Sequence, residues 1–148
     1  MVRLFITTLC LMFLVIAPAL AEHKGVGSVK VLNGSVDVVR GNIALRLTLG
    51  TGIYRGDIIR TSLFGSVGIT FLDGTMLSLG PNGEITIDEF LFDPVADEFS
   101  FASSLTLGIL TYSSGEIAKL RPEAVTISTP LATIGIRGTR FAVSMETP

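Results

Sequence analysis

The sequence contains a cluster of acidic side chains whose oxygen atoms are suited to hard cations such as calcium. The cluster spans eleven positions and consists of Asp88, Glu89, Asp93, Asp97 and Glu98. It lacks both the ligand spacing and the central glycine of an EF-hand loop. We therefore predict a solvated acidic loop and no metal site.

Two carboxylates facing each other across a cleft would be the signature of a glycosidase. Asp57, Asp73 and Asp88 are the available candidates. Asp57 follows Gly56 and Asp73 precedes Gly74, and aspartate beside glycine is typical of turns. The sequence therefore favours turn formation over acid–base chemistry at these positions.

General bases and activated nucleophiles are poorly represented. The single histidine, His23, lies close to the expected mature N-terminus, and no Ser–His, Cys–His or Gly-x-Ser-x-Gly arrangement is present. We predict a protein that is not an enzyme, with no catalytic residue and no cofactor.

The net charge of −2 gives no general attraction to nucleic acid or to an anionic membrane. Tryptophan is absent, and the two tyrosines, Tyr54 and Tyr112, do not interleave with a basic stripe. Nucleic-acid binding is therefore not expected.

The N-terminus has the layout of a secretory signal peptide. Arg3 precedes an apolar run over residues 4–17, and Ala19-Leu20-Ala21 follows the helix-breaking Pro18. The run is shorter than the ~20 residues of a membrane-spanning helix, so a retained anchor is the weaker alternative. We expect cleavage after Ala21, leaving residues 22–148 as one domain with no transmembrane segment.

The only cysteine, Cys10, lies within this leader and too early for lipid attachment. Disulfides, structural zinc and thiol catalysis are therefore not expected in the mature chain. An exported protein without disulfides fits the periplasm or surface of a bacterial cell.

The elements that must position these residues are β-strands. Short alternating runs of Val, Ile, Thr and Phe are separated by turn signals roughly every 8–12 residues. We predict an all-β fold, an antiparallel β-sandwich or jelly-roll-like β-roll built from short hairpins. The only helical turn expected is at residues 116–122.

Several local boundaries follow from the turn signals. Asn33-Gly34 and Asp73-Gly74 are each predicted to close a tight hairpin, the second through a two-residue loop. Asp88-Glu89 is predicted to end a strand, and residues 99–101 and 105–110 to form separate runs.

Charge is distributed unevenly along the chain. No Lys or Arg occurs from Thr61 to Ala118, where the acidic residues concentrate, whereas Lys119, Arg121, Arg137 and Arg140 follow. Either the two regions form a self-complementary surface or they are ordinary solvated loops.

Three segments together resemble the FecR domain family, the extracytoplasmic sensor module of ferric-citrate-type regulators. The segments are Gly27-Ser28-Val29 through Gly34-Ser35-Val36, the block from Gly56 to Asn82, and Thr129-Pro130 with Ile136 to Val143. The matching positions are interpreted as fold-defining, with no chemistry of their own: Gly56, Asp57, Arg60, Thr61, Asp73, Gly74, Arg137, Gly138, Thr139 and Phe141.

The resemblance implies a non-enzymatic, exported module for protein interaction or sensing in the cell envelope. The alternative is a structural or carbohydrate-binding envelope module. Relatives that relay signals have a cytoplasmic part and a spanning helix, which a cleavable leader replaces here. The partner is expected to be another envelope protein, bound through a strand edge or loops, and self-association is a further expectation.

The family pattern usually continues with more strands beyond Phe141-Ala142-Val143, whereas the sequence ends at Pro148. The domain is therefore either C-terminally incomplete or closed by an unusual edge. An unpaired edge would favour pairing with another chain.

Overall fold

The computed structural model describes residues 24–147. The predicted leader and its cleavage site at Ala21 lie outside these residues, as does His23. The described chain forms twelve strands: β1 (Gly27–Asn33), β2 (Val36–Arg40), β3 (Ile43–Arg46), β4 (Gly52–Ile53), β5 (Ile58–Thr61), β6 (Ser66–Phe71), β7 (Met76–Leu79), β8 (Glu84–Asp93), β9 (Glu98–Ser113), β10 (Val125–Ser128), β11 (Thr133–Gly135) and β12 (Arg140–Met145).

The strands form two layers that share the long strand β9. The first layer has the order β4-β1-β6-β7-β9-β12 and uses the C-terminal half of β9. The second has the order β3-β2-β5-β8-β9-β10-β11 and uses its N-terminal half. Every pairing is antiparallel except that of β9 with β10. The all-β prediction is confirmed.

The core lies between the two layers and is centred on aromatic rings. Phe71 on β6 stacks with Phe90 on β8 at 5.5 Å between centroids, and its edge meets Phe101 on β9 at 5.1 Å. Aromatic pairs in these geometries add to the free energy gained by burying apolar area. These contacts join the layers at their centre.

The two predicted hairpins have different outcomes. Asp73-Gly74 does connect paired strands, since Thr70 lies opposite Met76. Its loop has three residues rather than two, because Gly74 alone has a positive φ, at 83°. The prediction of a hairpin at Asn33-Gly34 is wrong, because β1 pairs with β4 and β6 whereas β2 pairs with β3 and β5.

Two strand boundaries are also wrong. Asp88-Glu89 does not end β8, which continues to Asp93 through a bulge between Ile87 and Glu89. The runs at 99–101 and 105–110 belong to a single sixteen-residue strand. The serines between them remain in the ladder because β8 and β10 pair with that segment on either side.

Within residues 24–147, helix is confined to the connection from β9 to β10, as the sequence predicts. Helix α1 spans Glu116–Leu120, and a 3₁₀ turn spans Pro122–Ala124. Ile117 is fully buried and fixes α1 against the core.

Candidate functional site

Asp57 is a fully buried carboxylate at the start of β5. Its Oδ1 accepts a hydrogen bond from Arg40 Nε at 2.8 Å, and its Oδ2 accepts one from Arg40 Nη2 at 2.7 Å. Oδ2 also accepts the backbone N–H of Tyr54 at 2.9 Å. These hydrogen bonds to the carboxylate therefore join β2 to the turn before β5.

Arg40 extends this cluster to the other layer. Its Nη2 donates to the carbonyl of Gly52 on β4 at 3.0 Å, and its guanidinium lies 4.1 Å from the centroid of the Tyr54 ring. Hydrogen bonding to Asp57 raises the pKa of Arg40, an effect that burial partly opposes. The arrangement is a two-layer clamp around a carboxylate side chain that is only 1 % exposed.

Asp73 organises a second buried cluster at the turn between β6 and β7. Its Oδ1 accepts the backbone N–H of Thr75 at 3.0 Å, and its Oδ2 accepts the Thr75 hydroxyl at 2.7 Å. Oδ2 also accepts the N–H of Ile117 at 3.2 Å, and the Asp73 carbonyl accepts Glu116 N–H at 2.8 Å. Asp73 thus supplies the N-terminal cap of α1 from a distant part of the chain.

Gly115 allows Asp73 to approach the start of α1 closely enough to cap it. The residue occupies the N-cap position but has no side chain with which to cap the helix. A Cβ there would lie 2.6 Å from the Asp73 carbonyl oxygen and 2.7 Å from Asp73 Oδ2. Glycine is therefore required by the close approach of Asp73.

Thr61 closes the turn that leads into β8. Its hydroxyl donates to the Gly80 carbonyl at 2.6 Å and accepts the Gly83 N–H at 2.8 Å. The neighbouring Arg60 forms an exposed ion pair with Glu84 at 2.5 Å. Gly56 has φ 88° and donates its N–H to the Ile87 carbonyl at 2.6 Å.

The C-terminal motif forms an exposed loop that is fixed at both ends. Gly138 has φ 126°, and its carbonyl accepts the Ser114 hydroxyl at 2.8 Å. The Ser114 N–H donates to the carbonyl of Thr139 at 2.8 Å, and the Phe141 ring stacks on Tyr112 at 5.1 Å. We call residues 137–140 the arginine loop.

Arg137 and Arg140 are both exposed on the arginine loop. Within residues 24–147 neither forms an ion pair or a side-chain hydrogen bond. Acidic residues between Thr61 and Ala118 do form ion pairs, but with other basic residues: Glu84 with Arg60, Asp97 with Arg121 and Glu116 with Lys119. The two motif arginines thus present their charges to solvent.

The acidic residues considered above do not converge on one point. Asp88 accepts the Ser104 hydroxyl at 2.6 Å, and Asp93 accepts the N–H groups of Val95 and Ala96. Across residues 24–147, no three His, Cys, Asp or Glu side chains lie close enough together to hold a metal ion. Asp57 and Asp73 each belong to a separate buried cluster.

Tyr112 carries a buried polar group that the sequence does not reveal. The residue is fully buried on β9, and its hydroxyl makes no hydrogen bond of ordinary geometry with the described residues. Burial raises the pKa of Tyr112, although the hydroxyls of Thr75 and Ser114 oppose this effect.

Two of the open grooves on the surface of residues 24–147 are similar in volume. One, of about 660 Å³, includes Tyr54, Arg55, Leu72, Leu91 and Phe92 in its lining. The other, of about 650 Å³, lies between the turn before β8 and the end of β12. Neither contains a pair of facing carboxylates or a nucleophile with a base beside it.

The described chain is thus a two-layer, all-β domain with buried motif carboxylates and an exposed arginine loop. The FecR protein family model matches residues 57–147, which is more than half of the chain. The protein belongs to the FecR family, an envelope-associated family of regulatory sensing domains. No curated protein and no solved structure matched in the corresponding searches. Among residues 24–147, no helix has the length and apolar character needed to cross a membrane.

Three residues that are important to these clusters are not identified by the sequence pattern: Arg40, Ser114 and Gly115. Arg40 lies seventeen positions from Asp57 along the chain. Gly115 follows Ser114 in an ordinary turn signal. These residues come close to the motif residues only in the folded chain, because their spacing along the sequence does not predict the contacts.

Proposed function

We propose that the protein is a non-enzymatic, exported FecR-type domain that senses or regulates in the cell envelope by binding a protein partner. The observation that carries the proposal is the arginine loop, which holds two exposed guanidinium groups without ion-pair partners among residues 24–147. An acidic surface of another envelope protein is the complementary partner.

The backbone of the loop is held in place before any partner arrives. Ser114 anchors Gly138 and Thr139, while Ile136 is buried on one side of the loop. Little conformational entropy is then lost at the loop on binding. Guanidinium groups bind carboxylates through paired, directional hydrogen bonds, which supports recognition of acidic side chains.

The buried motif residues support a non-catalytic role. Asp57 and Asp73 have their carboxylate oxygens occupied by protein donors. We propose that these residues, with Gly56, Thr61 and Gly74, define the fold, and that binding uses exposed positions. We also propose that residues 1–21 direct export and that residues 22–148 form one domain.

The test is photo-crosslinking in intact cells with a photoreactive amino acid in place of Thr139. We expect adducts with an envelope protein that mass spectrometry identifies, and we expect the R137E/R140E variant to lose them. A photoreactive group in place of Val95, which is 99 % exposed on the turn between β8 and β9, is the control for non-specific capture.

The same experiment separates this proposal from the alternative, a structural or carbohydrate-binding module. Tyr112 is fully buried and is therefore no sugar platform, and Arg40 covers one of the two ring faces of Tyr54. Binding on a glycan array, with no protein adduct at position 139, would overturn the proposal.

A further inference from the structure

Strand β3 is an edge of the second layer, and among residues 24–147 no other element pairs with its free side. It pairs with β2 on one side only, and all four of its residues are exposed. Ile43 is 62 % exposed and Leu45 is 45 % exposed. Although β3 is short, exposed apolar side chains on an unpaired edge favour the addition of a further strand.

The free edge presents backbone hydrogen-bonding groups at Ala44. The Leu47 N–H donates to the Val36 carbonyl at 2.9 Å, so alternation makes Val38–Leu45 and Arg40–Ile43 hydrogen-bonded pairs of the hairpin. Val39–Ala44 is then a non-hydrogen-bonded pair. The N–H and C=O of Ala44 therefore point away from β2, toward solvent.

The apolar side chains of β3 lie on the inner side of the second layer, beyond the edge of the first layer. Leu45 lies opposite Val38 in the ladder and therefore on the core-facing side of the sheet. Arg40 bonds the Gly52 carbonyl, which places the opposing edge strand β4 across from β2 rather than β3. Ile43 and Leu45 thus face the inner side beyond the end of the first layer.

We propose that β3 is a self-association edge, and that its partner is β3 of a second copy of this chain in antiparallel pairing. With Ala44 opposite Ala44 of the second copy, each Ala44 N–H donates to the other Ala44 carbonyl. Ile43 of each copy then lies opposite Leu45 of the other, on the same face. The pairing extends the second layer from one copy into the next.

Charge is compatible with this two-fold arrangement. The only charged residue of β3, Arg46, is already bonded to Asp37 at 2.6 Å and lies at the end of the paired segment. No acidic residue and no lysine lies on the strand. Because alanine occupies the two-fold axis, like charges do not meet at the centre.

Other edges of the described sheet are less suited. Strand β4 has two residues and β11 has three. Strand β12 begins at Arg140, whose exposed charge discourages self-pairing. The β3 interface is also separate from the arginine loop, so this inference and the proposed function can fail independently.

The expected association is weak. Two four-residue edges bury much less than the ~1,600 Å² of a standard interface, so we expect a dissociation constant on the order of 100 µM. Such a dimer would form where the protein is locally concentrated.

Sedimentation equilibrium of the purified protein from about 10 µM to about 1 mM is the test, covering both sides of the expected constant. We expect the average mass to rise from monomer toward dimer. Ala44→Pro removes the outward N–H without breaking a β2 hydrogen bond, and Leu45→Lys adds charge at the apolar contact. Each should weaken association at least about tenfold.

Met76→Lys is the matched control, because Met76 is also 45 % exposed and gains the same charge. It should associate like the wild type. Circular dichroism melts establish that each variant is folded, and a variant that does not fold leaves the other to decide. Hydrogen exchange at the Ala44 amide should slow as concentration rises.

A monomer throughout the concentration range would overturn the proposal. Association that persists in both β3 variants, or that is lost in Met76→Lys, would place the interface elsewhere and overturn it as well. Pairing of β3 with a different protein but not with itself would refute the second copy as its occupant.

Discussion

The carboxylate of Asp73 accepts the backbone N–H of Ile117 across 44 positions of sequence, at 3.2 Å. A residue in the turn between β6 and β7 thereby caps a helix that follows β9. The five-residue α1 is too short to be stable alone, so its position depends on this cap and on the burial of Ile117. Asp73 therefore links two turns of the domain that the sequence keeps apart.

Replacing Asp73 with alanine should destabilise the domain by about 3 kcal/mol, since three donors then lose their acceptor in a buried environment. Asp73→Asn should cost less, because its amide oxygen can still accept. The measurement is the free energy of unfolding in urea at pH 7. Asp88→Ala, at an exposed carboxylate, should change it by less than about 0.5 kcal/mol. Equal effects at positions 73 and 88 would contradict the capping role.

Gly115→Ala should destabilise the domain by about 2–3 kcal/mol, because the added Cβ would lie 2.6 Å from the Asp73 carbonyl oxygen. Its φ of −101° is open to any residue, so the effect comes from contact and not from backbone strain. Gly135→Ala is the matched control, since nothing lies within 4 Å of a Cβ there. Thermal melts of the two variants should differ by several degrees. Similar melting temperatures would show that the Asp73 turn moves aside.

The positions of turns could be predicted from the sequence, whereas the pairing of particular strands could not. Asp73-Gly74 and Asn33-Gly34 carry nearly the same local signal, and only the first joins paired strands. The second links the two layers, where Gly34 has φ 60° and its Cβ position lies 2.5 Å from the Phe64 carbonyl oxygen. Local composition specifies a reversal, but distant packing decides what each strand pairs with.

The same distinction applies to the clusters. That Asp57 would bond a nearby amide follows from its place beside Gly56, and Tyr54 N–H supplies that bond. Its ion pair with Arg40 depends on the pairing of β2 with β5. Long-range contacts of this kind leave no trace in spacing, so the buried clusters became visible only in the fold.

Arg40→Ala should destabilise the domain by about 2–3 kcal/mol, because it leaves the buried Asp57 carboxylate without its charge partner. The figure is below that of a fully buried pair, since the Arg40 side chain is 36 % exposed. Arg46→Ala removes a more exposed pair with Asp37 and should cost less than about 1 kcal/mol. Urea unfolding of the two variants side by side makes the comparison. A cost at Arg46 as large as that at Arg40 would refute the clamp.

Tyr112→Phe should leave the domain as stable at pH 7 or stabilise it by about 1 kcal/mol, because it removes a buried hydroxyl without a hydrogen-bond partner. The folded-state pKa of Tyr112 is raised, so the folded protein holds the phenolic proton more tightly than the unfolded chain does. The wild type should therefore lose stability as the pH rises above about 10, the ordinary tyrosine value, toward the folded-state pKa.

Tyr112→Phe should lack this part of the alkaline loss, so the advantage of the variant should grow between pH 9 and pH 11, about the range in which tyrosine begins to ionise. Urea unfolding of both proteins across that range measures the difference and cancels the titration of the lysines. Tyr54→Phe is the control, since Tyr54 is only partly buried. A constant difference between wild type and Tyr112→Phe would show that the hydroxyl is not protected from ionisation by burial.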